Sequence, residues 1–202
     1  MTGLFGWLTA PSEPVDPRWA ILDKDAWTCR SCGELHTGLF DLACRRPEVW
    51  TDGEDYAPNS EVQTSNHMLS EDFCILDGEA FFVRATLPIP LRGSGGQFFH
   101  FGVWSTLSPA NFRLYLEHFN DGEFADGTRW FGWFANRLKG YPDTLSLKCH
   151  VWPQRGRQRP LLELEQTDHP LAREQSEGMT FERLIEIYKF NGHEPPTSSL
   201  SN

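Results

Sequence analysis

Leu145-Ser146-Leu147-Lys148-Cys149-His150-Val151-Trp152 alternates apolar with polar or larger side chains, the period of two that a strand with one buried face requires. Leu145, Leu147, Cys149 and Val151 share the inward face, so the Cys149 thiol is expected in the core. Downstream, Arg155-Gly156-Arg157-Gln158-Arg159 reads as a solvated hairpin tip, and beyond it Leu162 and Leu164 alternate with Glu163 and Glu165. The two runs therefore pair as an antiparallel hairpin. Upstream, residues 67–91 carry Phe73, Ile75, Phe81, Phe82, Val83 and Leu87 around Asp77-Gly78, the signature of a second hairpin. Pro88 and Pro90 lack the N–H that an inner strand donates and place that hairpin's end at a sheet edge. Gly93-Ser94-Gly95-Gly96 reads as a flexible connector to a further strand over 97–104. It lacks the Lys-Ser/Thr ending of a phosphate-binding loop.

Two helices complete the pattern. Ser108 as N-cap and Pro109 at the first helical position precede Phe112, Tyr115, Leu116 and Phe119, spaced i, i+3, i+4 and i+7. Thr180 caps a second run in which Phe181, Leu184, Ile185 and Tyr188 repeat the spacing. Strands and helices in mixed order, with no regular strand–helix–strand repeat, define an α+β domain with an antiparallel sheet and two or three packed helices. With 202 residues, 15 Phe and 8 Trp, the chain has ample apolar surface for one domain, expected over 26–190. Pro11, Pro14 and Pro17 make 1–25 an extended arm, 48–66 reads as a long surface loop, and 191–202 as a flexible tail.

The net charge of −10 argues against nucleic acid as partner, because phosphate contacts need clustered cations. No apolar run approaches a membrane span, the first residues have no basic leader, and five cysteines, an odd number, do not suit a secreted disulfide framework. A cytoplasmic location follows as the expectation.

Cys29-Arg30-Ser31-Cys32-Gly33-Glu34-Leu35-His36 is the strongest chemical signal. Two thiols separated by two residues turn toward one point, Gly33 permits the tight turn behind them, and His36 is within reach of the same centre. Such a soft set favours structural zinc, and the reading gives Cys74 as fourth ligand, closing a zinc-ribbon-like knuckle over 27–76. Cys44 and Cys149 are then bystanders. A redox dithiol is the competing reading, but that motif opens a helix, whereas this one runs into glycine and histidine. Four protein ligands leave no open position for a reacting water, so the site stabilises and the protein is read as a non-catalytic binding or interaction protein with a protein partner. Glu165, Asp168 and His169 form a second polar group, readable either as an acid/base centre of hydrolase type or as a turn in which Thr167 or Asp168 caps a helix from Pro170. An immunity or antitoxin-type partner of a basic toxin is a third reading, suited to the acidic surface. The glycines inside the aromatic runs at 98–104 and 130–134 suggest close backbone approach.

Taken together, Cys29-x-x-Cys32-Gly33-x-x-His36, Asp72-x-Cys74, Gly102-Val103-Trp104, Phe131-Gly132-Trp133, Tyr141-Pro142, Arg159-Pro160 and His169-Pro170-Leu171-Ala172 with Gln175 and Gly178 resemble the bacterial family known as domain of unknown function 2199. The resemblance runs from about residue 27 to about residue 188. It implies a bacterial intracellular protein in which Cys29, Cys32, His36 and Cys74 match the family's cysteine and histidine positions. It implies no particular activity.

Overall fold

A computed structural model describes residues 13–24, 26–51 and 56–195. In chain order the elements are α1 (Trp19–Lys24), β1 (Ala26–Thr28), β2 (Leu35–Thr37), β3 (Leu42–Ala43), β4 (Val62–Gln63), β5 (Met68–Leu69), β6 (Phe73–Leu76), β7 (Ala80–Pro90) and β8 (Phe98–Leu107). There follow α2 (Pro109–Glu117), β9 (Trp130–Trp133), β10 (Lys148–Trp152), β11 (Leu161–Leu164), α3 (Pro170–Glu177) and α4 (Phe181–Phe190). The class is α+β, with largely antiparallel pairing. The exceptions are β11 beside β7 and β3 beside β8.

Strands β7 and β8 are the spine, paired from Phe81↔Leu107 to Pro90↔Phe98. From β7 the sheet continues through β11 and β10 to β9, and on the other half of β7 through β6, β5 and β4. An isolated antiparallel bridge, Ser105↔Phe134, and a 2.9 Å bond from the Ala135 N–H to the Trp104 carbonyl bring the end of β9 back to β8. Five strands, β8-β7-β11-β10-β9, thereby close into a ring. Gly132 permits the closure: a Cβ there would lie 2.3 Å from Ser105 Oγ and 2.4 Å from the Thr106 carbonyl oxygen. Gly102 serves β3 in the same way, since its Cβ would meet that of Ala43 at 2.9 Å. Both glycines were expected to allow close approach, and both do.

The main core lies where α1, α3 and α4 pack on the ring, with Trp19, Leu22, Ile89, Phe99, Cys149, Leu162, Leu171, Leu184 and Tyr188 all buried. A second cluster under α2 joins Phe112 and Tyr115 to Val83, Leu107, Trp130 and Val151. Cys149 points inward as the alternation requires, and its pairing with Leu164 across β10 and β11 confirms the hairpin. Both helix starts are as read: Ser108 Oγ accepts from the Asn111 N–H and Thr180 Oγ1 from the Arg183 N–H. Asp77 and Gly78, both at positive φ, turn β6 into β7.

Several expectations need revision. Pro88 and Pro90 sit on the central strand; they are tolerated because the Thr86 N–H donates away from β8, to the Pro160 carbonyl, and the two prolines share that orientation beyond the point where β11 covers β7. The connector at 93–96 is ordered: Ser94 is buried and its hydroxyl donates to the Leu91 carbonyl, while Gly93, Gly95 and Gly96 supply positive φ. Within the loop at 48–66, Trp50 and Tyr56 are buried beside Leu69, Phe82 and Trp104, which anchors it; residues 52–55 lie outside the described part. Residues 1–12 of the expected arm and 196–202 of the expected tail also lie outside it. The rest of the arm is tied down, by α1 with Trp19 and Leu22 in the main core and by Glu13 on Arg92. Among the described residues no helix is long and apolar enough to cross a membrane.

Candidate metal centre

The short hairpin of β1 and β2 presents the cysteine motif. Its register is Trp27↔His36 and Thr28↔Leu35, which leaves 29–34 as the connecting turn. Within it the Cys29 N–H bonds the Glu34 carbonyl, the Gly33 N–H bonds the Cys29 carbonyl, and the Cys32 N–H points at Cys29 Sγ, 3.4 Å away. Gly33 makes this turn possible with φ of +74°. Cys29, Cys32 and His36 converge as expected from their spacing.

The fourth member of the group is His193, just past the end of α4. One ligand atom from each of Cys29, Cys32, His36 and His193 lies within 4.8 Å of all the others. Cys32 Sγ is 3.4 Å from His36 Nε2 and 3.8 Å from His193 Nδ1. A tetrahedral zinc with Zn–S of about 2.3 Å and Zn–N of about 2.0 Å would space sulfur and nitrogen ligands by roughly 3.5 Å. The observed edges bracket that value, so the donor set fits a metal ion.

Backbone and rings hold the arrangement. The Glu194 N–H donates to Cys29 Sγ at 3.1 Å, and the Arg30 N–H reaches the Glu194 carbonyl. Burial opposes a Cys29 thiolate, yet the N–H groups of Cys32, Glu194 and Ser31 together outweigh it and draw the thiol down to about 7. Cys32 moves the other way: the Glu34 N–H would lower it, but burial and the neighbouring Cys29 sulfur raise it. Burial and the His36 charge lower His193, favouring the neutral imidazole that a metal takes. His36 stacks on Phe40 with centroids 4.5 Å apart, Phe40 stacks on Tyr188 at 4.3 Å, and the buried Tyr188 hydroxyl donates to the Phe40 carbonyl. The hairpin is thus tied by aromatic contacts to α4, the element that delivers His193.

Cys74, expected as the fourth ligand, is elsewhere. It lies fully buried in β6, paired with Leu69 and Phe82, in the cluster with Trp50 and Trp104. Burial pushes its thiol up to about 12, the neutral form of a packing residue. The knuckle is accordingly not a 27–76 unit: its chain ends at the hairpin and is completed from 191–194. His193 follows Asn191-Gly192, a helix stop, and stands 161 residues from Cys32, so no ligand-spacing rule reaches it.

Among the described residues the second polar group forms no convergent cluster of ligand atoms. Asp168 is exposed, the Glu165 N–H bonds the Lys148 carbonyl, and His169 is itself the N-cap of α3, its Nδ1 accepting from the Leu171 N–H at 3.2 Å. Pro170 opens the helix, Leu171 and Ala172 are buried, and the buried Gln175 bonds both the Leu164 N–H and the Leu162 carbonyl of β11. The segment reads as the pin that fastens α3 to the ring. Asp72 and Arg159, distant in sequence, form an ion pair at 2.6 Å.

No curated protein and no solved structure matched the chain. A family model described as "Uncharacterized protein conserved in bacteria (DUF2199)" matches residues 28–179, a segment that holds Cys29, Cys32 and His36 and stops short of His193. With three quarters of its length inside that match, the chain belongs to the DUF2199 family.

Proposed function

We propose that the protein is a non-catalytic binding or interaction protein whose N-terminal hairpin and C-terminal segment are clasped by one structural zinc ion. The observation that carries this reading is the convergence of two thiols and two imidazoles within 4.8 Å of one another, with the two Cys32–imidazole distances close to those of a tetrahedral zinc site. Four protein ligands fill a zinc coordination shell and leave no position for substrate or activated water. The soft donor set favours zinc over calcium or magnesium. The capping role of His169 adds support, because it engages the imidazole on which acid/base chemistry at the second polar group would depend.

Elemental analysis of protein purified without added metal tests the reading. One zinc per chain is expected, lost in Cys29→Ser and in His193→Ala and retained in Cys74→Ala. Full zinc content in His193→Ala, or loss confined to Cys74→Ala, would overturn the assignment of ligands.

A further inference from the structure

His193 lines a cleft of about 280 Å³ as well as the metal cluster. The cleft's walls are β3 with Cys44, the loop at 137–139, and the segment holding Asn191 and His193, with Phe101 of β8 among them. These walls are fixed. Leu42 pairs with Phe101, and the Cys44 N–H bonds the Gly102 carbonyl. The loop is pressed on α4 at Gly140, whose carbonyl accepts from Arg183 Nη2 at 2.7 Å and whose absent Cβ would strike Phe190 and Ile187. Asn191 caps α4, with its side-chain amide donating to the Ile187 carbonyl. A pocket with such walls exists before any ligand arrives.

Its chemistry has one sign. Arg137 and Lys139 line it and, among the described residues, no carboxylate does, on a chain of net charge −10. Arg137 is engaged by Glu48 and Asp143, whereas Lys139 has no ion pair among the described residues. His193 turns Nδ1 toward Cys32, which leaves Nε2 as its second nitrogen. A metal-bound imidazole normally donates that second N–H to a carboxylate, carbonyl or water. Among the described residues Nε2 has no such partner, and Leu42, Phe101 and Leu138 give the cleft an apolar lining.

We propose that this cleft binds a small organic carboxylate, its anionic head between the Lys139 ammonium and His193 Nε2–H and its apolar body against Leu42, Phe101 and Leu138. The inference rests on the clasp reading for the role of His193, and it makes the clasp part of the binding wall: metal and carboxylate share one imidazole.

Amide chemical-shift titration of the zinc-bearing full chain with hexanoate, with hexanol and with inorganic phosphate tests it. Hexanoate is expected to saturate, with shifts centred on 42–44, 137–139 and 191–193. Hexanol, which lacks the charge, and phosphate, which lacks the apolar body, should bind at least about tenfold more weakly. Lys139→Gln, an exposed substitution, should weaken hexanoate by about tenfold or more, the loss of one charge-assisted hydrogen bond. Absence of saturable hexanoate shifts at these residues, equal binding by Lys139→Gln, or phosphate binding as tight as hexanoate would overturn the proposal. Zinc is measured in the same samples. A protein that carries no zinc refutes the clasp, while the Lys139→Gln comparison still decides the cleft. Equal hexanoate affinity before and after removal of measured zinc refutes the shared imidazole.

Discussion

Gly132 has room for a hydrogen atom and nothing larger, because Ser105 Oγ and the Thr106 carbonyl stand where a methyl group would go. Gly132→Ala should therefore cost about 1–3 kcal/mol, the usual penalty for forcing atoms into a packed site, seen as a lower urea midpoint. An unchanged midpoint would mean that β9 does not close on β8 at this residue. The sequence places glycine between two large rings, and that contrast makes a close approach legible, although not which strand approaches. His193 shows the opposite limit. One imidazole beyond a helix stop carries no local signature, and only the path of α4 over the ring brings it to Cys32. Cys74 was attractive because it follows a loop, yet a buried strand position pairing with Phe82 is an ordinary home for a thiol.

At the scale of elements, the capping of α3 is the sharpest case. His169 accepts the Leu171 N–H through Nδ1, so the neutral ring carries its proton on Nε2, which is buried with no partner among the described residues. His169→Ala removes the cap and should lower stability by about 1 kcal/mol, whereas His169→Asn keeps an acceptor and should stay within a few tenths of wild type by denaturant titration. If the asparagine variant were as unstable as the alanine variant, capping would not be the residue's role. Elements with periodic patterns and local caps were readable: α2 from Ser108, α4 from Thr180, and the hairpin of β10 and β11 from alternation. The short strands β3, β4 and β5, of two residues each, offer no period to read and exist through their neighbours. The helix α1 was hidden by the prolines before it, although Trp19 and Leu22, three residues apart, form the face that reaches the core.

For the whole molecule, the proposed metal site and the fold are separable. The buried clusters around the ring contain none of the four clasp side chains, and Cys29, although buried, belongs to none of them, so the ring has its own apolar support. Chelation should therefore raise amide hydrogen exchange in 26–37 and 191–195 and leave β7, β8 and β10 protected. Loss of protection throughout would show that the ring depends on the metal. The α+β class was legible because strands and helices alternate without a crossover repeat. Closure into a ring was not, since it rests on a single bridge between residues 29 positions apart in sequence and on parallel docking of β11 to β7.

The clasp also has a mechanical meaning. Cys29 and His193 bracket every strand from β2 to β11, and a metal joining them would carry a pull applied at these two residues directly from one ligand to the other. Under tension the strands between them would bear little load until a metal–ligand bond ruptured, and the force needed to extend the molecule would then be set by coordination chemistry before it was set by the sheet.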